Sequence, residues 1–168
     1  TSFHRSTICR FLKNKYEMTQ KNSMATLEHL HKIAEQLNNV HQNNDIQTLV
    51  SLSFDVLNAL TTLDSSSKND FHLLEISALN IIGNQLFNTG NHQESLLYFN
   101  NALLRSQQFN NIELEIRTTI NIANIHYREA EYDKAQQLYE ECLQHAHTIN
   151  NKGLIATSSM NIDRKSVV

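Results

Sequence analysis

Residues 79–104, LNIIGNQLFNTGNHQESLLYFNNALL, realign at an offset of 40 on residues 119–144, TINIANIHYREAEYDKAQQLYEECLQ. Ile82 falls on Ile122, Gly83 on Ala123, Asn84 on Asn124, Ser95 on Ala135, Phe99 on Tyr139, Ala102 on Cys142 and Leu103 on Leu143. Self-similarity at a fixed period of this length marks a repeat architecture, in which each unit buries its apolar side against the next. Gly83 and Ala123 are small where two helices are expected to cross closely. Ser95, Phe99 and Ala102, like Ala135, Tyr139 and Cys142, follow a four-then-three spacing that puts each trio on one helical face. Thr89-Gly90-Asn91-His92 and Ala130-Glu131-Tyr132-Asp133 supply the turns, with Asn91 or Asp133 able to cap the second helix. Ile162 comes into register with Ile122, so a third copy begins before the sequence stops.

Outward from this repeat, residues 24–62 show a weaker helical pair. Leu27, Leu30, Ile33 and Leu37 form one stripe, and Ile46, Leu49, Val50, Phe54, Leu57 and Leu60 form the next, with Asn43-Asn44-Asp45 as the turn. Two such short helices are marginal in water unless they stack on the repeats that follow. Asp64 to Asn69 is expected to be a polar loop. The sequence has no proline and only three glycines, which favours long helices joined by polar turns. Apolar residues make up 40% and charged residues 18%, enough to bury a core and unlike a disordered chain. At 168 residues the chain is too short for two full domains.

The units, taken as about 24–62, 70–110, 111–150 and a partial 151–162, resemble the tetratricopeptide repeat. That family's usual period is ~34 residues. This sequence departs from it in lacking a tryptophan early in the first helix and a proline after the second, and in carrying about six extra residues per unit. Longer, proline-free units of this sort resemble those of the peptide-sensing regulators of Gram-positive bacteria, the Rgg and RRNPP type. The resemblance implies an all-α, tetratricopeptide-like α-α superhelix of stacked antiparallel helix pairs over residues 23–162.

Residues 1–22 carry five basic residues against Glu17 alone, a net +4, so the overall −3 leaves −7 for the rest. A basic end on an acidic body points to nucleic acid contact at one end. Within it, STICRFLKNKYEMT (6–19) resembles the end of a helix-turn-helix DNA-binding domain of the Xre and Rgg type. Ser6, Thr7, Ile8, Arg10, Phe11 and Lys15 match, Leu12 stands where an acidic residue is usual, and Asn14 stands where glycine is usual. The resemblance implies that Ser6, Thr7 and Arg10 lie near DNA, with Lys13 and Lys15 available to phosphates. An ordinary basic amphipathic helix accounts for the same residues. The first helices of such a motif are expected to precede Thr1, so DNA contact is expected of an intact protein, with 1–22 its remnant. The sequence opens without a methionine and stops within a helical stretch, and both ends are expected to be cut. Residues 163–168 match the translation of a common sequencing adapter and are expected to be non-native.

In stacked helical repeats the first helix of each unit lines the concave surface. Arg117, Asn121, Asn124 and Arg128 are spaced four, three and four and share one face; Ser77, Ile81, Asn84 and Asn88 are their equivalents, and Thr157 and Asn161 begin the next set. Asparagine pairs a donor with an acceptor, which suits the amides of an extended peptide, and arginine can hold a carboxylate by paired hydrogen bonds. The expected peptide-binding residues are therefore Asn84, Asn88, Arg117, Asn121, Asn124 and Arg128. The family resemblance implies the same use for Asn84 and Asn124, and a homodimeric intact protein. Asparagine is abundant in this chain, and a solvated face explains Arg117 and Arg128 equally well. Tyr127 is expected in the core.

No enzymatic string appears: no His-Glu-x-x-His, phosphate loop, dinucleotide fingerprint or nucleophile motif. His29 with His31, and His145 with His147, are two apart and point to different sides of a helix. Cys9 and Cys142 lie far apart with no second thiol beside either, so no metal and no cofactor are expected, and Cys142 should be a buried inert thiol. No stretch approaches the ~18 apolar residues of a membrane span. The expectation is a cytoplasmic, peptide-responsive transcriptional regulator; a tetratricopeptide scaffold that docks a partner protein, with no DNA role, is the second reading.

Overall fold

The computed structural model describes residues 24–37, 39–40 and 45–163. The expected DNA-contacting residues Ser6, Thr7, Arg10, Lys13 and Lys15, and all of the suspected tail except Asp163, lie outside the described residues. The chain divides into two compact units, Thr1–Asp70 and Phe71–Val168, across which the expected repeat domain at 23–162 is spread.

In the first unit, α1 covers residues 24–37 and α2 covers Ile46–Leu60. Leu30, Ile33 and Leu37 of α1 are buried, as the stripe predicts. On α2 the expected stripe holds in part: Leu60 is buried and Leu49, Val50 and Leu57 are half-buried, but its centre is shifted. Ser53, Val56 and Leu60 are the buried residues, whereas Ile46 and Phe54 stand 49% and 42% exposed. The Ser53 hydroxyl is accommodated by donating to the Leu49 carbonyl (2.8 Å), so a polar residue can occupy the buried face and the hydrophobic count misplaces it. Asp45 caps α2 through the Thr48 N–H (3.2 Å). The expected loop at 64–69 is instead a short helix, α3 (Ser65–Asp70). Asp64 starts it by accepting the N–H groups of Ser66 and Ser67 at 3.0 and 2.9 Å. The bonds from Ser67 hold the Asp64 carboxyl below its ordinary value.

The second unit is a run of helices of one length: α4 (His72–Asn88), α5 (His92–Gln108), α6 (Ile112–Arg128) and α7 (Tyr132–Thr148), 17 residues each, then α8 (Lys152–Asp163). Three residues join each helix to the next, so the 40-residue period splits into two equal halves. Every joint ends its helix alike. Gly90, Asn110, Ala130 and Asn150 have φ of 83°, 51°, 60° and 54°. Their N–H groups reach Phe87, Gln107, Tyr127 and His147 carbonyls, while the following N–H reaches Leu86, Ser106, His126 and Ala146 carbonyls. This is the paired closure that satisfies the last carbonyls of a helix, and it needs one left-handed residue each time.

Capping differs from expectation. Asn91 stands at the N-cap of α5 but its side chain makes no cap bond, and Asp133 lies inside α7, whose N-cap is Glu131. Side-chain caps fall on the joints between pairs: Asn111 Oδ1 accepts the Leu114 N–H, and Asn151 Oδ1 accepts the N–H groups of Gly153 and Leu154, all at 3.1 Å.

The close crossings are where the sequence places them. Gly83 and Ala123 are buried. A Cβ on Gly83 would lie 2.7 Å from Phe99 Cε1, and the Ser95 hydroxyl, fully buried, donates to the Gly83 carbonyl at 2.7 Å. In the next pair Ala123, Ala135, Tyr139 and Cys142 join Ile116, Ile120, Ala146 and Leu154 in one cluster. Helix α6 is buried on two sides. Thr118, Ile122 and Ile125 are buried on one, with Ile122 and Ile125 packing against Phe99 of α5, and Ile116, Ile120 and Ala123 turn to α7 and α8. Outside these clusters, Arg105 on α5 donates Nε to the buried Glu75 carboxylate of α4 (2.7 Å). Its Nη2 lies 2.6 Å from the same oxygen without hydrogen-bond alignment and contributes charge alone. The result is an all-α, tetratricopeptide-like superhelix of antiparallel pairs with α4, α6 and α8 as the inner row. Among the described residues no helix is long and apolar enough to cross a membrane.

Candidate functional site

With two sides of α6 committed to the core, the third carries Leu114, Arg117, Asn121, Asn124 and Arg128 into a groove shared with α4 and α8. Two adjoining hollows make up this groove. The first has a cavity volume of about 350 Å³ and is lined by Ser77, Asn80, Ile81 and Asn84 of α4, Leu114, Arg117, Ile120 and Asn121 of α6, and Leu154 and Thr157 of α8. The second, about 440 Å³, is lined by Phe87, Ile120, Asn121, Asn124, Tyr127, Arg128, Thr157 and Asn161. Ile120, Asn121 and Thr157 belong to both, so the two are continuous. Each falls within the ~300–1,000 Å³ typical of a ligand site.

Five of the six expected peptide-binding residues are brought together here: Asn84, Arg117, Asn121, Asn124 and Arg128. Asn88, the last residue of α4, is exposed and lines neither hollow. A helix that ends at 88 turns away at its closing residue, whereas Arg128, equally terminal on α6, is long enough to reach back over Phe87, with its guanidinium carbon 5.9 Å from the ring centre. Tyr127, expected in the core, has two faces: it packs against the α6–α7 cluster, meets Tyr132 edge-on at 5.3 Å, and walls the second hollow.

The residues differ in how they are held. Arg117 is tied along its own helix, donating Nε and Nη2 to Glu113 Oε1 at 3.1 and 2.8 Å. Asn121 Nδ2 donates to Asn80 Oδ1 at 3.4 Å. Asn124 Oδ1 accepts the Tyr139 hydroxyl at 2.7 Å. Asn84, in whose unit Phe99 stands where Tyr139 stands in the next, has no such anchor among the described residues.

Asn80 was not visible from the repeat because its equivalent, 40 residues on, is Ile120. It exchanges hydrogen bonds with the buried Thr118 hydroxyl (3.1 and 3.2 Å) and links α4 to α6 under the groove floor. One unit further on, Ser158 holds the place of Thr118, and with isoleucine in place of asparagine its buried hydroxyl has no hydrogen-bond partner among the described residues.

Away from the groove, the Cys142 thiol is pushed up to about 12 by burial, with Glu141 and Glu115 adding to the shift. It is protonated at neutral pH and a poor nucleophile. At the α6–α7 joint, His126, Glu129 and Glu131 bring three possible metal-ligand atoms within 4.8 Å of one another, the grouping of that kind among the described residues. No fixed string along one helix marks it, because His126 lies in the last turn of α6 while Glu129 and Glu131 lie in the joint that follows. His126 Nδ1 lies 2.6 Å from Glu131 Oε2, so this buried imidazole has a carboxylate partner without an ion.

These elements define a class, a repeat superhelix with a ligand-sized groove on its inner helices. The particular repeat follows from comparison: residues 74–147 match the family described as tetratricopeptide repeat. A tetratricopeptide-like repeat domain is therefore present, spanning most of α4 through α7. Domains of this class act as interaction scaffolds for partner proteins. No curated protein matches the chain.

Proposed function

We propose that the inner groove binds an extended oligopeptide, and that the chain is part of a cytoplasmic, peptide-responsive transcriptional regulator of the Rgg type. The observation that carries the binding reading is the continuous hollow in which Asn84, Asn121, Asn124 and Asn161, from three successive inner helices, stand among Ile81, Ile120 and Phe87. Amides that donate and accept suit a peptide backbone, and the apolar floor suits alternate side chains. From Arg117 to Arg128 the groove follows α6 for about 17 Å at ~1.5 Å per residue, room for roughly five residues of extended chain.

The regulatory half of the proposal rests on the resemblance of residues 6–19 to the end of a helix-turn-helix and on the long, proline-free repeat. In that reading the peptide shifts the stacking of the pairs, and paired DNA-binding domains of a dimer respond. The generic character of the family match is what favours the second reading, a scaffold for a partner protein without DNA.

Two measurements test the proposal. Calorimetric titration of a peptide library against wild type, Asn84→Ala and Asn124→Ala should show weaker binding in both variants; equal affinity in all three refutes the groove. Electrophoretic mobility shift of the intact protein on promoter DNA, with and without the selected peptide, should show a change. A protein that binds peptide but never DNA leaves the scaffold as the answer.

A further inference from the structure

The four joints of the second unit close alike, yet the joint between α6 and α7 departs from the others at three positions at once. His126 stands where Leu86, Ser106 and Ala146 stand, Glu129 where Thr89, Phe109 and Ile149 stand, and Glu131 where Asn91, Asn111 and Asn151 stand. Each replacement brings in a side chain able to ligate a metal. The backbone requires none of them, since the closing bonds from the Ala130 and Glu131 N–H groups repeat those of the other joints. Glu131 makes no side-chain bond as the cap of α7; its Oε2 turns back to His126 Nδ1 at 2.6 Å. His126 is 7% exposed, and ligand atoms of His126, Glu129 and Glu131 all lie within 4.8 Å of one another. From the start of α5, His92 Nδ1 approaches Glu129 Oε1 at 3.6 Å, its ring stacked on Phe87 at 5.5 Å.

We propose that this joint is a binding site for a divalent transition-metal ion of the zinc type, with His126, Glu129 and Glu131 as ligands and His92 positioning Glu129. The ligands of a tetrahedral zinc ion stand roughly 3.3 Å apart, given bonds of ~2.0–2.1 Å. The two glutamates are exposed and can rotate into such places, while the imidazole is held by its burial. Two carboxylates balance the charge of the ion. The imidazole selects zinc, nickel or copper over magnesium and calcium, which take oxygen ligands. Two contacts compete with the ion: the His126–Glu131 hydrogen bond, and Lys134 Nζ at 3.9 Å from Glu131 Oε2. Lys134 is 60% exposed and free to swing into solvent. A bound ion pins the end of α6 to the start of α7, next in sequence to Tyr127 and Arg128 of the groove wall. The site stands whether or not the groove takes a peptide.

The test uses the full chain without an affinity tag, stripped by a chelator and titrated calorimetrically with zinc chloride. Cobalt(II), whose visible absorption reports its coordination, is the second probe. One zinc ion per chain should bind, and saturating zinc should raise the thermal unfolding midpoint by several degrees, as a ligand of the folded state alone does; magnesium should not. Glu129→Thr and Glu131→Asn restore residues of the neighbouring joints, and His126→Ala supplies the alanine found at 146, so all three suit the fold. Each should weaken zinc binding more than tenfold and abolish the cobalt spectrum. His92→Ala, which removes only the support of Glu129, should weaken it about tenfold, and Lys134→Met should tighten it. Zinc held by other histidines of the chain gives equal affinity in wild type, Glu129→Thr and Glu131→Asn, and that result overturns the assignment. So does a wild-type midpoint that zinc leaves unmoved, or that magnesium raises as much.

Discussion

Ala130 is the one alanine among the four residues that close helices with positive φ, and replacing it with glycine should stabilise the protein. Its φ of 60° places Cβ against the backbone, at a cost of roughly 1–2 kcal/mol for an L residue. Glycine removes that strain but adds about 0.5–1 kcal/mol of backbone entropy to the unfolded chain. The balance is a gain of about 1 kcal/mol, or about 4 °C in unfolding midpoint. Gly90, at the equivalent joint, makes the opposite experiment. Its φ is 83° and nothing lies within 4 Å of an added Cβ, so Gly90→Ala meets no clash and should lose about the same 1 kcal/mol through the backbone alone. Asn110→Gly and Asn150→Gly should change little, since asparagine tolerates the left-handed region. Circular dichroism at the helix band, followed through heat and urea, measures all four. If Ala130→Gly lowers the midpoint, or if it and Gly90→Ala move it the same way, the helices do not close in the manner described.

Gly83→Ala should cost about 1 kcal/mol, because overpacking against Phe99 (roughly 1–3 kcal/mol) exceeds the helix-propensity gain of about 1; combined with Phe99→Leu the cost should be less than additive by double-mutant cycle. Ser158→Ala should be neutral or stabilising by up to ~1 kcal/mol, since it deletes a buried hydroxyl with no hydrogen-bond partner among the described residues, whereas Thr118→Val should destabilise by roughly 1–2 kcal/mol by removing both hydrogen bonds that Thr118 exchanges with Asn80; equal effects in urea melts would contradict these hydrogen bonds. The folded Cys142 thiol lies above its ordinary value of 9.0, at about 12. Its contribution is thus complete below pH ~9 and is lost as pH rises toward 12, because the unfolded thiol ionises first. The alkaline fall in melting temperature should be shallower in Cys142→Ala than in wild type.

Much of the fold could be read because a repeat states its contacts twice. Gly83 with Ala123, and Phe99 with Tyr139, are positions where the same close crossing recurs, so periodicity alone marks them. The candidate site was legible to the extent that it obeys the same rule: Asn84, Asn121, Asn124 and both arginines follow from helical spacing. Asn80 did not, because Ile120 stands in its register, and neither did the buried place of Ser53 on α2, because serine counts as polar. The halving of the period at 90, 110, 130 and 150 was present in the sequence but disguised, since glycine, asparagine and alanine fill one conformation.

What the amino-acid order determined by itself is the set of properties that depend on one helix at a time: where helices lie, which residues share a face, and which crossings must be tight. What the tertiary structure alone decided is which of several similar side chains is already engaged. Among the described residues Arg128 has only the Phe87 ring of α4, while Asn124 has the Tyr139 hydroxyl of α7 and the Asn84 side chain has no hydrogen bond. The physical reason is that a free donor and a satisfied one have the same letter, and only the neighbour brought from another helix tells them apart.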